Sequence, residues 1–116
     1  MSRRLFAAAF VLCVALASTA AHASADPRPE RWCGWQLRQW LHVADRAYNR
    51  AAHWAEYGTA AAGAAVGVIV VWPHHVGKIT GGSPGHWIVK SGNDGHRVRE
   101  RERDVSRAIA FRWPPS

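Results

Sequence analysis

Cysteine is scarce in this 116-residue chain, which contains only Cys13 and Cys33. Cys13 lies in an apolar N-terminal stretch that we expect to be removed, which leaves Cys33 without a partner for a disulfide within the chain. In an oxidising compartment, an unpaired cysteine is buried and inert, paired between chains, or reactive. The sequence therefore excludes a disulfide-stabilised fold, and its other features favour a reactive Cys33.

The N-terminal residues have the composition of a secretory signal peptide. The pair Arg3-Arg4 supplies positive charge, residues 5–16 are apolar, and small residues follow. The motif Ala23-Ser24-Ala25 predicts cleavage before Asp26, and Ala21-His22-Ala23 is the alternative site. We therefore predict a signal peptide over 1–25 and a periplasmic or extracellular protein.

Apart from this leader, the chain has no apolar run long enough for a membrane span. A transmembrane helix needs about twenty apolar residues, and the run from Ala60 to Trp72 is better explained as a buried central strand. A lipoprotein signal needs a small residue before its cysteine, whereas Leu12 precedes Cys13. We expect no transmembrane segment after cleavage and no lipid anchor.

Acidic residues are also few, with eight Asp and Glu against fifteen Lys and Arg. Removal of Arg3 and Arg4 leaves a mature net charge of about +5, which favours anionic partners such as peptidoglycan or other envelope material. Charge alone does not distinguish these partners, and solubility explains it equally well. The stretch from Arg97 to Arg107 alternates arginine with acidic residues, which is typical of a solvated surface, so nucleic-acid binding is not favoured.

Tryptophan is abundant, and every one follows the leader. A mature chain of about ninety residues without a disulfide forms one small domain in which aromatic burial supplies much of the stability. Residues 26–31 contain two prolines among charges and predict an exposed arm, and 32–116 form the domain, which we expect to be monomeric. The seven tryptophans are Trp32, Trp35, Trp40, Trp54, Trp72, Trp87 and Trp113.

The apolar pattern predicts helices first and strands afterwards. Steps of three and four residues predict a helix that begins near Trp32, with Cys33 in its first turn, and a second helix runs from about Tyr48 to Tyr57. The small residues 59–65 predict a connection. We predict an α+β domain with two short N-terminal helices packed on a small antiparallel sheet of about five strands. The strand candidates are Val66–Trp72, His75–Thr80, His86–Lys90, Arg97–Arg99 and Ala108–Arg112.

Cys33 and a histidine form the candidate catalytic pair. A thiolate is the nucleophilic form of cysteine, and both a helix N-terminus and a nearby imidazolium stabilise it. His75 begins a strand predicted beside the longest buried one, whereas His74 would point to the opposite face. A polar residue must orient the imidazole, and Asn93 in the turn after the next strand is our choice. Asp94 and His96 in the same turn are the alternatives to Asn93.

These segments together resemble the NlpC-type and CHAP-type cell-wall amidohydrolases and peptidases of the papain-like superfamily. The resemblance implies a papain-like core, Cys33 as nucleophile, His75 as base and Asn93 as the orienting residue. It also implies cleavage of amide bonds in peptidoglycan peptides. The segments that carry it are Trp32-Cys33-Gly34, Trp54 to Gly58, Val66 to Trp72, His75-Val76-Gly77, Ser91-Gly92-Asn93 and Phe111-Arg112-Trp113-Pro114.

Three other interpretations compete with a cysteine hydrolase. Considered alone, Cys33 is better explained as a small buried apolar residue, a common fate of free cysteine, and the helix start, the export signal and the His75 segment together reverse this preference. A second function class is a non-catalytic cationic module that binds the envelope or cell wall with the same fold. Zinc would suit cysteine and histidine, but no recognised ligand spacing is present, so we predict no metal site and no cofactor. The residues considered as zinc ligands are Cys33, His74, His75, His86 and His96.

Overall fold

The computed structural model describes residues 26–116, so the predicted signal peptide lies outside the described residues. It confirms an α+β architecture with an antiparallel sheet, and the sheet has six strands rather than about five. The helices are α1 (Cys33–Leu41) and two 3-10 helices (Arg46–Asn49 and Ala51–Glu56). The strands are β1 (Thr59–Ala60), β2 (Ile69–Trp72), β3 (His75–Ser83), β4 (His86–Ser91), β5 (Arg99–Glu102) and β6 (Ala110–Trp113).

Four strands of the sheet pair in sequence order, and the other two do not. Its strand order is β1-β6-β2-β3-β4-β5, so β2 to β5 follow one another while β6 returns to pair with β2. Thr59 and Ala60, which we predicted to lie in a connection, pair with Trp113 and Arg112 at the outer edge of β6. Backbone hydrogen bonds form this short strand, and they require no alternation of apolar side chains.

The predicted second helix is instead two short 3-10 helices. Arg50 between them is extended, with φ of −83° and ψ of 126°. A side-chain hydrogen bond within this segment helps to fix it, because the buried Trp54 indole N–H donates to the Tyr48 carbonyl oxygen over 2.8 Å. A Cβ atom on Gly34 would lie 2.4 Å from the same carbonyl oxygen, so the segment packs directly on the backbone of α1. This close approach explains why glycine follows Cys33.

The sheet carries one apolar cluster on each face. The first cluster includes Cys33 and Leu37 of α1 together with Val71 and Val76 of the sheet. The second cluster lies on the opposite face, contains Val68, Val70, Ile79 and Val89, and has Trp72, Trp87 and Phe111 packed against it. Helix α1 therefore covers only the first face, while residues after β5 contribute to covering the second.

A buried arginine attaches the N-terminal arm to the helices. Arg38 is 3% exposed and makes a bidentate pair with Asp26 at 3.1 and 2.9 Å. The same guanidinium donates to the Asn49 side chain and to the carbonyls of Val43 and Ala44. Residues 27, 28, 30 and 31 of the arm are exposed. Within residues 26–116, no helix combines the length and apolar character needed to cross a bilayer.

Candidate functional site

Cys33 is the first residue of α1, as the sequence predicts, and its side chain is buried. The residue is 5% exposed, and the thiol lies 4.0 Å from the carbonyl oxygen of His74. Trp32 occupies the N-cap position without a side-chain hydrogen bond to the helix. The first N–H groups of a helix have no intrahelical acceptor, so those of α1 are directed toward the region of the sulfur.

The surroundings of Cys33 act on its ionisation in opposite directions. Burial raises the pKa of the Cys33 thiol, because an anion loses its hydration there. The backbone N–H groups of Val76, Gly34 and Cys33 itself, and the positive charge of Arg103, lower the same pKa less strongly. The thiol is therefore protonated at neutral pH, and nucleophilic attack by the sulfur requires a base.

His75 is the first residue of β3 and is partly buried. Its ring Nε2 lies 2.9 Å from the Ser91 hydroxyl at the end of β4, and the ring centroid lies 5.8 Å from that of Trp72. The pKa of His75 is lowered to about 4, chiefly by burial and in part by the charges of Arg103 and Arg101, against the opposing effect of Asp94. The imidazole is therefore neutral at pH 7 and able to accept a proton.

The sulfur and the imidazole approach the start of β3 from different sides. Val71 pairs with Val76 on the face covered by α1, whereas Trp72 pairs with His75, so the His75 ring leaves the strand on the Trp72 face. The Cys33 thiol meets the backbone on either side of His75. Among residues 26–116, no hydrogen bond joins the thiol to the ring, and Nδ1 is not engaged by Ser91.

An open cleft of about 390 Å³ gives access to Cys33. Arg31 and Arg50 line it together with His74, and no acidic residue contributes to its lining. A neighbouring depression of about 340 Å³ is lined by Arg31, Cys33, His74 and Asn93. Asn93 has a φ of 52°, a left-handed conformation that asparagine tolerates better than most residues. The structure thus places Asn93 beside the cleft of Cys33, while the hydrogen bond of the His75 ring goes to Ser91.

Asp94 and His96, the alternatives to Asn93 as the residue that orients the imidazole, lie in different surroundings from Asn93. Asp94 is 6% exposed and makes a bidentate salt bridge with Arg101 at 2.8 Å for both contacts. His96 is exposed and has a φ of 68°. Asp94 influences His75 through its charge, because it opposes the lowering of the pKa of His75.

The sequence pattern did not indicate a role for Ser91 or Arg103. Ser91 is the last residue of β4, one residue beyond the predicted strand. Its position as a polar residue at the end of the strand that pairs with β3, which His75 begins, could have indicated a contact with His75. Arg103 lies in the stretch predicted to be a solvated surface, yet its side chain is only 24% exposed. Local charge alternation gave no indication of this burial, which depends on strand pairing.

The residues considered as zinc ligands include His86. His86 pairs with Glu102 over 3.0 Å at an exposed position on the sheet. Within residues 26–116, no group of three or more His, Cys, Asp or Glu side chains is arranged to hold a metal ion.

Comparisons of this chain with protein-family models, with curated proteins and with solved structures found no match.

Proposed function

We propose that this chain is an exported cysteine amidohydrolase or peptidase that cleaves amide bonds in cell-wall peptides, with Cys33 as nucleophile and His75 as base. The observation that carries the proposal is the placement of Cys33 at the start of α1, against the first residues of β3 and beside an open cleft. A neutral His75 at the same strand end supplies the base that a protonated thiol requires.

The reaction follows from the protonation states of the two groups. The His75 Nδ1 accepts the thiol proton as the Cys33 sulfur attacks the amide carbonyl carbon, and the backbone N–H of Cys33 stabilises the oxyanion. The imidazolium returns the proton to the leaving amine, which leaves a thioester on Cys33. Water then attacks this thioester with His75 as base, releases the acid and restores the thiol. This transfer requires that substrate binding bring together the thiol and the ring, which meet the start of β3 from different sides in the free protein.

Ser91 determines which nitrogen of the imidazole serves as the base. When Nε2 carries its proton and donates to the Ser91 hydroxyl, the Nδ1 lone pair remains for the thiol proton. Arg31 and Arg50 in the acid-free lining of the cleft favour a substrate that carries carboxylates. Anionic stem peptides of the cell wall have this chemistry.

Digestion of purified peptidoglycan by wild type and Cys33→Ala tests this function. Wild type is expected to release new amino groups, detected by amine labelling, and Cys33→Ala is expected to release none above background because the thioester cannot form. The same Cys33→Ala protein should still sediment with peptidoglycan, since its cationic surface is unchanged. Equal amine release by the two proteins would overturn the assignment of Cys33.

Ser91 and Asn93 compete for the role of orienting His75, and matched alanine variants separate them. We expect Ser91→Ala to lower kcat/KM about five- to tenfold, the value of one hydrogen bond, because the ring loses its observed partner. Asn93→Ala should have the smaller effect on kcat and act chiefly through KM, since Asn93 lines the depression beside the cleft, which Cys33 also lines. Steady-state kinetics on a peptide substrate measure both, and a larger kcat loss in Asn93→Ala would assign the orienting role to Asn93.

A non-catalytic wall-binding module is the second candidate. Burial of the Cys33 thiol and the missing hydrogen bond to His75 favour it, because both leave the sulfur unactivated in the free protein. This candidate predicts that wild type and Cys33→Ala bind peptidoglycan equally and that neither releases amines.

A further inference from the structure

Three arginines lie on one face of the sheet at β5. Side chains of a strand point alternately to its two faces, so the alternating sequence of β5 places the arginines together. Arg101 is the cross-strand partner of Val89, which belongs to the second apolar cluster, and Arg99 shares its face. Arg103 follows β5 and stacks over Trp72 of the same cluster, with its guanidinium carbon 4.9 Å from the ring centroid. We call Arg99, Arg101 and Arg103 the arginine row.

The glutamates of β5 occupy the opposite face. Glu100 is the cross-strand partner of Lys90, whose ammonium nitrogen lies 4.9 Å from the ring centroid of Trp40 in α1. Glu102 pairs with His86 over 3.0 Å. The sequence predicted a solvated surface in which the two signs of charge compensate each other. Strand geometry separates the two signs instead, so the face of the arginine row is cationic.

One carboxylate meets the arginine row. Asp94 is 6% exposed, makes a bidentate pair with Arg101 at 2.8 Å for both contacts, and lies 3.6 Å from Arg103. A Cβ atom on Gly95 would lie 3.3 Å from Nη1 of Arg99, and within residues 26–116 no ion pair engages Arg99. Three guanidinium groups and one carboxylate leave a surplus of two positive charges. The Arg101 side chain stays 42% exposed despite its ion pair.

We infer that the arginine row is a binding surface for the carboxylates of peptidoglycan, separate from the cleft that opens at Cys33. Guanidinium groups bind carboxylates in a bidentate manner, as the pair of Arg101 with Asp94 shows in this protein. Alternate residues of a strand lie about 7 Å apart, a spacing at which an extended acidic peptide also presents alternate side chains. The choice of peptidoglycan among carboxylate polymers rests on the proposed function.

The same charge pattern disfavours a second copy of this chain as the partner. Strand β5 is the last in the strand order, so its outer edge is the place where another β5 would pair. A two-fold axis normal to the sheet keeps each side chain on its own face, so arginine would lie opposite arginine and glutamate opposite glutamate. Like charges directly opposite each other destabilise strand pairing. The row is therefore suited to an anionic partner rather than to itself.

A surface distinct from the cleft has a consequence for a polymeric ligand. When one part of a polymer is held at the arginine row, other parts of the same polymer reach the cleft at a raised effective concentration. This effect needs no contact between the row and Cys33.

Cosedimentation with purified peptidoglycan tests the inference in a Cys33→Ala protein, so that turnover does not change the ligand. Adding Arg99→Gln is expected to weaken binding about two- to fivefold, the value of one exposed ion pair. Lys78→Gln is the matched control, because it removes one positive charge from the face that α1 covers. It should bind as the parent protein does. Circular dichroism checks the fold, which Arg99→Gln should retain because it disrupts no ion pair.

A ligand-side control amidates the carboxylates of the peptidoglycan. Amidation is expected to weaken binding of the parent protein and to abolish its advantage over Arg99→Gln, because neutral amides form no ion pair with arginine. Vesicles of anionic phospholipid are the second probe, since they offer phosphate in place of carboxylate.

Undiminished binding of Arg99→Gln to untreated peptidoglycan would overturn the inference. So would an equal loss in Lys78→Gln, which indicates a general effect of net charge, or a dependence on Arg99 seen only with the phospholipid vesicles. Because binding needs no turnover, peptidoglycan binding that depends on Arg99 without amine release by wild type would reject the proposed hydrolase while retaining the arginine row.

Discussion

His75→Ala is expected to lose roughly a thousandfold in the rate of amine release from peptidoglycan, the usual contribution of a general base. His74→Ala is the matched control, because the two histidines are adjacent and His74 is exposed at the cleft. We expect His74→Ala to remain within about threefold of wild type, since its ring takes no part in the proposed proton transfer. Initial rates at equal enzyme concentration measure both variants.

The pH profile of wild type gives an independent check on His75. Because the pKa of His75 is lowered to about 4, chiefly by burial, the imidazole stays neutral through the mildly acidic range, and activity should persist until the pH approaches that value. Activity should then fall as the ring becomes protonated. A loss of activity centred near about pH 6.5, the ordinary pKa of histidine, would contradict the assignment of His75 as the base. Equal losses of activity in His75→Ala and His74→Ala would contradict it as well.

Arg38→Met is expected to lower the free energy of unfolding by about 3 kcal/mol, because Arg38 is buried and each buried acceptor left unsatisfied costs about 1 to 3 kcal/mol. Arg38 joins Asp26, Asn49 and two backbone carbonyls, so its removal leaves several polar groups without their partner. Denaturant unfolding followed by tryptophan fluorescence measures the change. The exposed Arg97→Met variant should differ from wild type by less than about 0.5 kcal/mol.

Acid unfolding tests the same ion pair from the side of Asp26. The hydrogen bond from Arg38 lowers the pKa of Asp26 below its ordinary value of 3.8, despite an opposing effect of burial. The pair therefore stabilises the fold above about pH 4, and this contribution is lost as the pH falls through the lowered pKa. Asp26→Asn should lose part of this acid dependence. An Arg38→Met protein as stable as Arg97→Met at neutral pH would show that the pair contributes nothing.

Local sequence patterns predicted much of the framework around the site. The three- and four-residue apolar steps located α1 with Cys33 at its start, and β-branched runs located β2, β3 and β4 to within a few residues. The predicted second helix was wrong because helical spacing does not distinguish an α-helix from a 3-10 segment whose carbonyls meet Trp54 and Gly34. The pairing of β1 with β6 was missed because it joins residues distant in sequence and needs no side-chain pattern.

The amino-acid sequence by itself determined the α+β class and suggested Cys33 and His75 as a candidate pair, because residue type and apolar periodicity are local properties. Only the tertiary structure decided that the His75 ring bonds to Ser91 and that Arg103 stacks over Trp72 beside it. Both contacts depend on strand register and on which face of the sheet each side chain occupies. A shift of one residue in that register would turn His75 to the other face and separate these groups.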